Sequence, residues 1–282
     1  MTELELRQYL SNVGLVGIPA QFHKFSGGLH NSVWRVDTGD RRLVAKVFAA
    51  PTAGTLFPNL PEKEADALRR LEGLDVAPNL VGFWPEVKLL VYDYVDGEMW
   101  DGDVVGAAHL LLRKEVVDPT GFRRVSLTCE DILSEGDEFF VRCKNKPKEF
   151  RPHPIAISVP EKLSLIHTDV GVNLVGSGGG LRLIDWQCPA VGDICEDIYS
   201  FLSPAFQILG ERPQLSGEQI KSFWDTLDRP DLARRYSKLR AAFAWRFAGY
   251  CAWRAEILDD TDICGRYRFA LSAELKYMED FV

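Results

Sequence analysis

The chain has 282 residues, of which 46% are hydrophobic, so it is long enough to bury a sizeable core in one large domain or in two lobes. Its formal charge is −8 and its pI is near 5.3, so its summed field would repel nucleic acid and anionic membrane surfaces. No apolar run reaches the roughly 18 residues of a membrane span, and charged residues interrupt the leucines of the amino terminus. We therefore expect a soluble cytoplasmic protein that binds neither nucleic acid nor membrane.

The first part of the chain alternates helical and β-type patterns. In chain order, we predict a helix at residues 2–13, a hairpin of strands at 33–36 and 42–48, a helix near 61–71 and a β-rich run at 89–95. In the second helix, Glu64 lies four residues before Leu68 and seven before Leu71, so it shares their inward face. Glu62 lies further round the helix from this face and is the alternative inward acid if the register of the helix is shifted.

The second part of the chain is mainly helical by period. We predict helices at residues 104–116, 218–227, 232–258 and 266–278. The segment between residues 142 and 154 is basic and rich in proline, which indicates a solvated loop.

Between these helical regions lie two short apolar segments that carry polar side chains. The first, residues 165–174, contains Asp169 and Asn173, and the second, residues 181–186, contains Asp185. Phosphoryl transfer needs a carboxylate to orient the attacking hydroxyl and hard oxygen ligands for magnesium. These side chains could supply both, although a hairpin whose polar residues are satisfied by backbone groups is the simpler alternative.

The order His-x-Asp, Asn and then Ile-Asp-Trp resembles the aminoglycoside phosphotransferase and choline kinase family, which are small-molecule kinases with a two-lobed protein-kinase-like fold. The resemblance implies that Asp169 is the catalytic base and that Asn173 and Asp185 hold Mg²⁺. The spacing from Asp169 to Asn173 is one residue shorter than is usual in the family. Gly171 is expected to permit this tighter path, because a residue without Cβ tolerates unusual backbone angles.

The same resemblance assigns residues to ATP or another nucleoside triphosphate. It implies that Lys46 binds the α- and β-phosphates and pairs with Glu64, whereas without it Lys46 would be read as a solvated edge lysine. The turn containing Gly27 and Gly28 would cover the phosphates. The remaining predicted nucleotide-binding residues are Asn31 and Ser32 beside this turn, and Tyr92 and Tyr94 in the connector between the lobes.

Two further residues resemble structural supports of the family's catalytic loop. Asp197, in a Gly-Asp…Asp pattern that opens a helix, would brace this loop. His167 would hydrogen-bond the backbone near Asp185 and would not act as a general base.

The acceptor is predicted from weaker signals. Trp245, Gly249 and Trp253 recur at steps of four in the long carboxy-terminal helix, and acidic residues follow that helix. Such an aromatic stripe is usually core, but it could also form a cage for a cationic head group. We take Trp245, Trp253 and Trp186 as candidate acceptor-binding residues, and a choline- or ethanolamine-like amino alcohol as the leading acceptor, with an aminoglycoside as another.

Together these patterns predict an α+β, two-lobed kinase-like fold, with a nucleotide-binding lobe at residues 1–95 and a mainly helical lobe at residues 96–282. The expected function is ATP-dependent phosphorylation of a hydroxyl on a small molecule. The shortened spacing between Asp169 and Asn173 favours one alternative, a non-catalytic, pseudokinase-like regulatory protein that binds nucleotide.

Overall fold

A computed structural model describes residues 1–17, 19–25, 31–50, 54–100, 102–145 and 151–279. A five-stranded antiparallel sheet dominates the amino-terminal part, and most of the rest is helical, which confirms the α+β class. The strands of this sheet are β1 (Gln21–Lys24), β2 (Ser32–Asp37), β3 (Arg42–Val47), β4 (Leu80–Trp84) and β5 (Leu89–Asp93).

The strand β3 lies inside the sheet, whose order is β1-β2-β3-β5-β4. In the register of the sheet, Lys46 lies between Val33 on β2 and Leu90 on β5, and only 2% of its surface is exposed. Lys46 is therefore not an edge lysine. Because a buried charge needs a partner, its position already requires an acid nearby.

Two helices pack on the amino-terminal part, α1 (Glu3–Asn12) and α2 (Pro61–Leu71). A proline begins α2, where its missing N–H costs no helical hydrogen bond. Glu64 is buried together with Leu68 and Leu71, whereas Glu62 is exposed. The predicted register of this helix is confirmed.

The carboxy-terminal part consists mainly of seven helices among its described residues. They are α3 (Val104–Arg113), α4 (Cys129–Arg142), α5 (Ile194–Leu202), α6 (Pro204–Leu209), α7 (Gly217–Leu227), α8 (Pro230–Ile257) and α9 (Thr261–Glu279). A 3-10 turn, Lys114–Val116, extends α3. None of these described helices is both long and apolar enough to cross a membrane.

The helix α4 is the main element missing from the predictions. Its start carries a recognisable signal, because the Thr128 side chain accepts a hydrogen bond from the backbone N–H of Asp131. Its interior contains Gly136, which weakens intrinsic helix propensity. Burial of Ile132, Leu133 and Phe139 among other residues stabilises the helix despite this glycine.

Six short strands complete the fold and frame the predicted catalytic segment. They are β6 (Glu98–Met99), β7 (Arg123–Arg124), β8 (Ser164–Ile166), β9 (Leu174–Ser177), β10 (Gly180–Leu183) and β11 (Ala190–Gly192). They form the three-stranded sheets β10-β9-β6 and β7-β11-β8. Asp169 and Asn173 lie between β8 and β9, and Asp185 follows β10. The hairpin of β9 and β10 brings the segment that contains Asp185 next to Asn173. The Ile184 N–H donates to the Asn173 carbonyl at 2.9 Å.

The helices α4 and α8 cross closely because each presents a glycine at the contact. A Cβ added to Gly249 would lie 2.7 Å from the Gly136 carbonyl oxygen, and one added to Gly136 would lie 2.9 Å from Arg246 Cα. Both approaches involve backbone atoms, which cannot rotate away. This crossing fixes which face of α8 meets α4 and which face is left for other contacts.

We expect Gly249→Ala to destabilise the protein by about 1–3 kcal/mol, because the added methyl group overpacks this crossing. Intrinsic helix propensity alone would favour alanine by about 1 kcal/mol. The matched control is Gly265→Ala in α9, where a Cβ would meet nothing within 4 Å. Urea unfolding of the three proteins checks this, and equal stability of the two variants would contradict the packing argument.

Candidate active site

The ammonium of Lys46 joins the amino-terminal sheet, helix α2 and the segment after β10. Lys46 Nζ lies 2.7 Å from Glu64 Oε2 and also donates a hydrogen bond to Asp185 Oδ1. Lys46 and Glu64 are 2% and 1% exposed, whereas the side chain of Asp185 is 37% exposed and faces a cavity. The predicted pairing of Lys46 with Glu64 is therefore present, and Asp185 is a second partner.

The charges of this cluster depend on one another. Burial lowers the pKa of Lys46, but the carboxylates of Asp185 and Glu64 outweigh burial, so the pKa is raised and the ammonium stays charged. Burial raises the pKa of Glu64, and the Lys46 ammonium opposes that rise. Removal of Lys46 would thus leave Glu64 as a buried acid without its counter-ion.

Asp197 holds the backbone at the start of the predicted catalytic segment, at His167 and Thr168. It is fully buried and accepts hydrogen bonds from the N–H of His167, at 3.0 and 2.9 Å to its two oxygens, and from the N–H of Thr168 at 2.8 Å. Thr168 has φ of +71°, a backbone conformation that costs energy for a residue with a side chain. The bonds to Asp197 stabilise this conformation.

The counter-ion of Asp197 is Lys114, which sequence reasoning did not identify. Lys114 Nζ lies 2.8 Å from Asp197 Oδ2 and donates to the Leu165 carbonyl at 2.9 Å, and both side chains are 0% exposed. Lys114 follows directly on the apolar helix α3, and a lysine at the end of such a helix is the signal that could have marked it. A buried pair of this kind loses much stability when one partner is removed.

His167 braces the segment that carries Asp185. Its Nε2 lies 2.9 Å from the Ile184 carbonyl oxygen, and its Nδ1 accepts from the N–H of Asp169 at 3.3 Å. This pattern requires a neutral ring with the proton on Nε2. Burial lowers the pKa of His167, which favours the neutral form. The ring of Trp186 packs against the imidazole at 4.6 Å.

The short spacing between Asp169 and Asn173 is accommodated by a turn. The N–H of Asn173 donates to the Val170 carbonyl at 3.2 Å, and its Nδ2 donates to the Asp169 carbonyl at 2.9 Å. Burial and the charge of Asp185 raise the pKa of Asp169 to about 7, although Asn173 and Arg212 lower it.

The role expected for Gly171 in this turn is corrected. Its φ is not in the positive range, so no unusual backbone angle explains the glycine. Instead, an added Cβ would lie 2.3 Å from the Ser200 carbonyl oxygen and 2.6 Å from Phe206 Cβ. The turn needs a glycine because it packs directly on α5 and α6. Arg212 also holds it, by donating to the Gly171 carbonyl at 2.9 Å.

One cavity, of about 310 Å³, unites the predicted catalytic, metal and phosphate-binding side chains. Its polar lining includes Asn31, Lys46, Asp169, Asn173, Asp185 and Gln187. The described residues contain no cluster of three or more His, Cys, Asp or Glu side chains around a metal position. A carboxylate and an amide oxygen fit magnesium, which takes its remaining ligands from phosphate and water.

Apart from Lys46 and Glu64, the predicted nucleotide-binding residues fall into three groups. Gly27 and Gly28 lie outside the described residues. Asn31 lines the cavity and bridges Asn59, at 2.7 Å, and Gln187, at 3.2 Å.

The other three lie in or beside the sheet and outside the lining of the cavity. Ser32 begins β2, and Tyr92 is buried in β5, where burial raises its pKa. Tyr94 follows β5, and the guanidinium carbons of Arg35 and Arg42 lie 5.8 and 5.7 Å from the centre of its ring.

The three tryptophans proposed for the acceptor do not line this cavity. Trp245 is buried against Phe140 and donates its indole N–H to Asp137 at 2.8 Å. Trp253 packs on Phe139, and Trp186 donates to the Leu183 carbonyl at 3.0 Å. The face of α8 that carries Trp245, Gly249 and Trp253 packs on α4, so the predicted cation cage is not assembled there.

A different face of α8 lines the cavity. It carries Phe247, Tyr250 and Arg254, with spacing of three and four residues, and Tyr267 of α9 lies beside them. Phe247 stacks on Phe206 at 4.1 Å, and the Tyr250 hydroxyl lies 3.3 Å from Thr55 Oγ1. The sequence signal that could have indicated this face is Arg254, a charged residue on a helical face that otherwise carries Phe247 and Tyr250.

Comparison with known proteins was informative only at the level of structure. No protein-family model matches the sequence, and no curated protein matches it. The structure is similar to a choline/ethanolamine kinase family protein from Mesorhizobium loti, with 16% sequence identity, a TM-score of 0.66, and coverage of 99% of this chain and 100% of the other. It is also similar to the choline kinase LicA from Streptococcus pneumoniae, with 15% identity, a TM-score of 0.65, and coverage of 98% and 99%.

A third similar structure is a spectinomycin phosphotransferase in complex with ADP and spectinomycin. It has 11% identity, a TM-score of 0.62, and coverage of 100% of this chain and 99% of the other. These likenesses extend over nearly the whole length of the chains. They confirm the two-lobed kinase-like fold that the sequence predicted and match the family that its motifs resemble.

We expect Lys114→Met to destabilise the protein by about 3–5 kcal/mol, because it leaves the Asp197 carboxylate buried without its cation. The matched control is Lys221→Met, which removes an exposed ion pair with Asp225 and should change stability little. Guanidinium unfolding measures both. A small effect at Lys114 would show that the hydrogen bonds from His167 and Thr168 alone compensate Asp197.

Proposed function

We propose that this protein is a small-molecule phosphotransferase that moves the γ-phosphoryl group of ATP, or of another nucleoside triphosphate, to a hydroxyl of its acceptor. The observation that carries the proposal is the convergence of Lys46, Asp169, Asn173 and Asp185 on one cavity. The structural neighbours support it, because their names describe choline, ethanolamine and spectinomycin phosphotransferases.

In the proposed reaction, the acceptor oxygen attacks the γ-phosphorus as the bond to the β,γ-bridging oxygen breaks and ADP leaves. The carboxylate of Asp169 orients the hydroxyl and accepts its proton. Most of the rate enhancement would come from positioning and from neutralising phosphate charge. The bonds from Asp197 and His167 to the backbone keep Asp169 in place for this role.

Asp185 and the amide oxygen of Asn173 would hold magnesium, which supplies positive charge to the phosphates. Lys46 would add its ammonium on the same side of the cavity. We further propose that Gly27 and Gly28 cover the phosphates, that Asn31 and Ser32 lie beside them, and that the connector from Tyr92 to Tyr94 contacts the base. The two lobes would then meet between residues 95 and 96.

A non-catalytic regulatory role was favoured by the short spacing between Asp169 and Asn173. Against that role, Asn173 Nδ2 donates to the Asp169 carbonyl within one turn, and both residues line the same cavity. The names of the neighbours favour an amino alcohol or an aminoglycoside as the acceptor. The tryptophans that favoured a cation lie elsewhere.

We expect Asp169→Asn to reduce turnover by at least about 100-fold while nucleotide binding is kept, because general base catalysis typically contributes 10²–10⁴-fold and the base acts on the acceptor. The assay is ADP release across a panel of amino alcohols, hydroxy acids, vitamins, sugars and aminoglycosides, together with calorimetric titration of Mg·ATP. Asp137→Asn, in a carboxylate that bonds Trp245 away from the cavity, is the control. Normal turnover in Asp169→Asn would remove Asp169 from the chemistry.

Lys46→Met and Glu64→Gln should be strongly non-additive. Because the two residues form one charge network, the double variant should lose less activity than the product of the two single losses. The measured quantity is kcat/KM for ATP in a complete double-mutant cycle. Glu62→Gln, in the exposed neighbouring acid, should leave activity unchanged. Independent effects of Lys46 and Glu64 would show that their contact does not serve catalysis.

A further inference from the structure

The cavity that contains Asp169 is also lined by a buried cation, Arg254. This residue is 5% exposed. Its Nε is buried and has no hydrogen-bond partner, and no carboxylate among the described residues pairs with its guanidinium. An ionised group in such a place is costly unless something compensates it.

The other buried cations among the described residues each have at least one carboxylate partner. Lys46 pairs with Glu64 and Asp185, and Lys114 pairs with Asp197. Arg246, on the same helix as Arg254 and also 5% exposed, pairs with Glu196 at 2.7 Å and with Glu135 at 3.0 Å. Arg246 and Arg254 each have a buried Nε without a hydrogen-bond partner, so the difference between them lies in the carboxylates. Among the described residues, Arg254 is the buried cation that has no carboxylate partner, and it lies beside the proposed reaction centre.

The surroundings of Arg254 are aromatic. Its guanidinium carbon lies 5.9 Å from the ring centre of Tyr250 and 5.6 Å from that of Tyr267. Burial raises the pKa of Tyr267; the charge of Arg254 and a hydrogen bond with it lower this pKa, whereas the charge of Asp169 raises it. Tyr267 is therefore close enough to both charges for each to affect its pKa. The aromatic environment that could attract a cationic head group already contains a cation of the protein itself.

We propose that the acceptor is a small hydroxy acid whose carboxylate binds Arg254 while its hydroxyl lies at Asp169. The inference rests on the proposed phosphotransferase function and specifies its substrate class. A carboxylate matches the planar fork of a guanidinium with two parallel hydrogen bonds. The acceptor must be small, because the cavity of about 310 Å³ is shared with the phosphates that Lys46 and Asp185 would hold.

The formal charge of −8 does not oppose this assignment. Charges on the exposed surface are screened over roughly 8–10 Å at physiological ionic strength, whereas a buried pair is screened much less. The local cation at Arg254 therefore decides which end group the cavity accepts.

The test uses acceptors that differ only in their end group: glycolate, glycolamide and ethanolamine, followed by the same sets lengthened by one to three methylene groups. Steady-state kcat/KM with Mg·ATP is measured for the wild type, Arg254→Met and Arg234→Met. The last variant is the matched control, because Arg234 is an exposed arginine on the same helix. In the set whose chain length gives the highest kcat/KM, we expect the acid to be preferred over the amide and the amine by about ten- to a hundredfold, as for a hydrogen bond to a charged group.

Arg254→Met should remove this preference through the KM of the acid and leave the KM of ATP and the use of the amide unchanged. Without ligand, its melting temperature should equal or exceed that of the wild type, because an unpaired buried charge has been removed. A large loss of melting temperature would identify Arg254 as a structural residue and overturn the proposal. So would a preference of the wild type for the amide or the amine, or a rise only in the KM of ATP, which would place Arg254 on the nucleotide phosphates.

A readout without turnover separates the two proposals. The wild type and Arg254→Met are heated with magnesium, a non-hydrolysable ATP analogue, and each acid or its amide. Stabilisation of the wild type alone by an acid, with no phosphorylation of any compound, would support the carboxylate site and reject the kinase function. Turnover without any acid-specific stabilisation or preference would support the kinase function and reject the carboxylate site. Neither turnover nor stabilisation would overturn both.

Discussion

The buried ammonium of Lys46 is the interaction on which the arrangement of the cavity depends. It lies on a central strand, so its charge cannot reach water, and it must be compensated by Glu64 from α2 and Asp185 from the segment after β10. These three residues come from distant parts of the sequence. The cost of burying one charge therefore fixes the position of the sheet relative to the hairpin that carries Asp185. The remaining catalytic candidates are attached to this hairpin through the hydrogen bonds of His167 and Asp197.

The distribution of buried charges separates structural sites from a binding site. Asp197 and Lys114 bond to each other and to the backbone, and both side chains are 0% exposed, so they are not accessible to a ligand. Arg254 has unused capacity and faces the cavity. Natural proteins commonly accept such a local cost of stability at functional sites. The rings of Tyr250 and Tyr267 give this part of the cavity an aromatic wall beside Arg254.

The sequence was sufficient for features that depend on short-range patterns. The inward register of Glu64 could be predicted, because helix periodicity determines which side chains share a face. The grouping of His167, Asp169 and Asp185 was predicted from motifs that resemble those of a known family. Features that depend on contacts between distant elements could not be predicted from the sequence. Gly171 is needed because α5 and α6 pack on it, Trp245 and Trp253 face α4 because two glycines cross there, and Lys114 is buried because Asp197 lies opposite. Arg254 was overlooked for the same reason, since the face of α8 that lines the cavity follows from that crossing.

Transfer of a phosphoryl group to a carbon-bound hydroxyl in this cavity is tested most directly by phosphorus NMR of the reaction mixture. The protein is incubated with magnesium, ATP and pooled hydroxyl compounds, and the new phosphorus resonances are assigned. The account predicts a phosphomonoester resonance that grows in equal amount with ADP and disappears on treatment with a phosphatase. Growth of inorganic phosphate alone, or an unchanged spectrum from a protein that binds Mg·ATP, would contradict it.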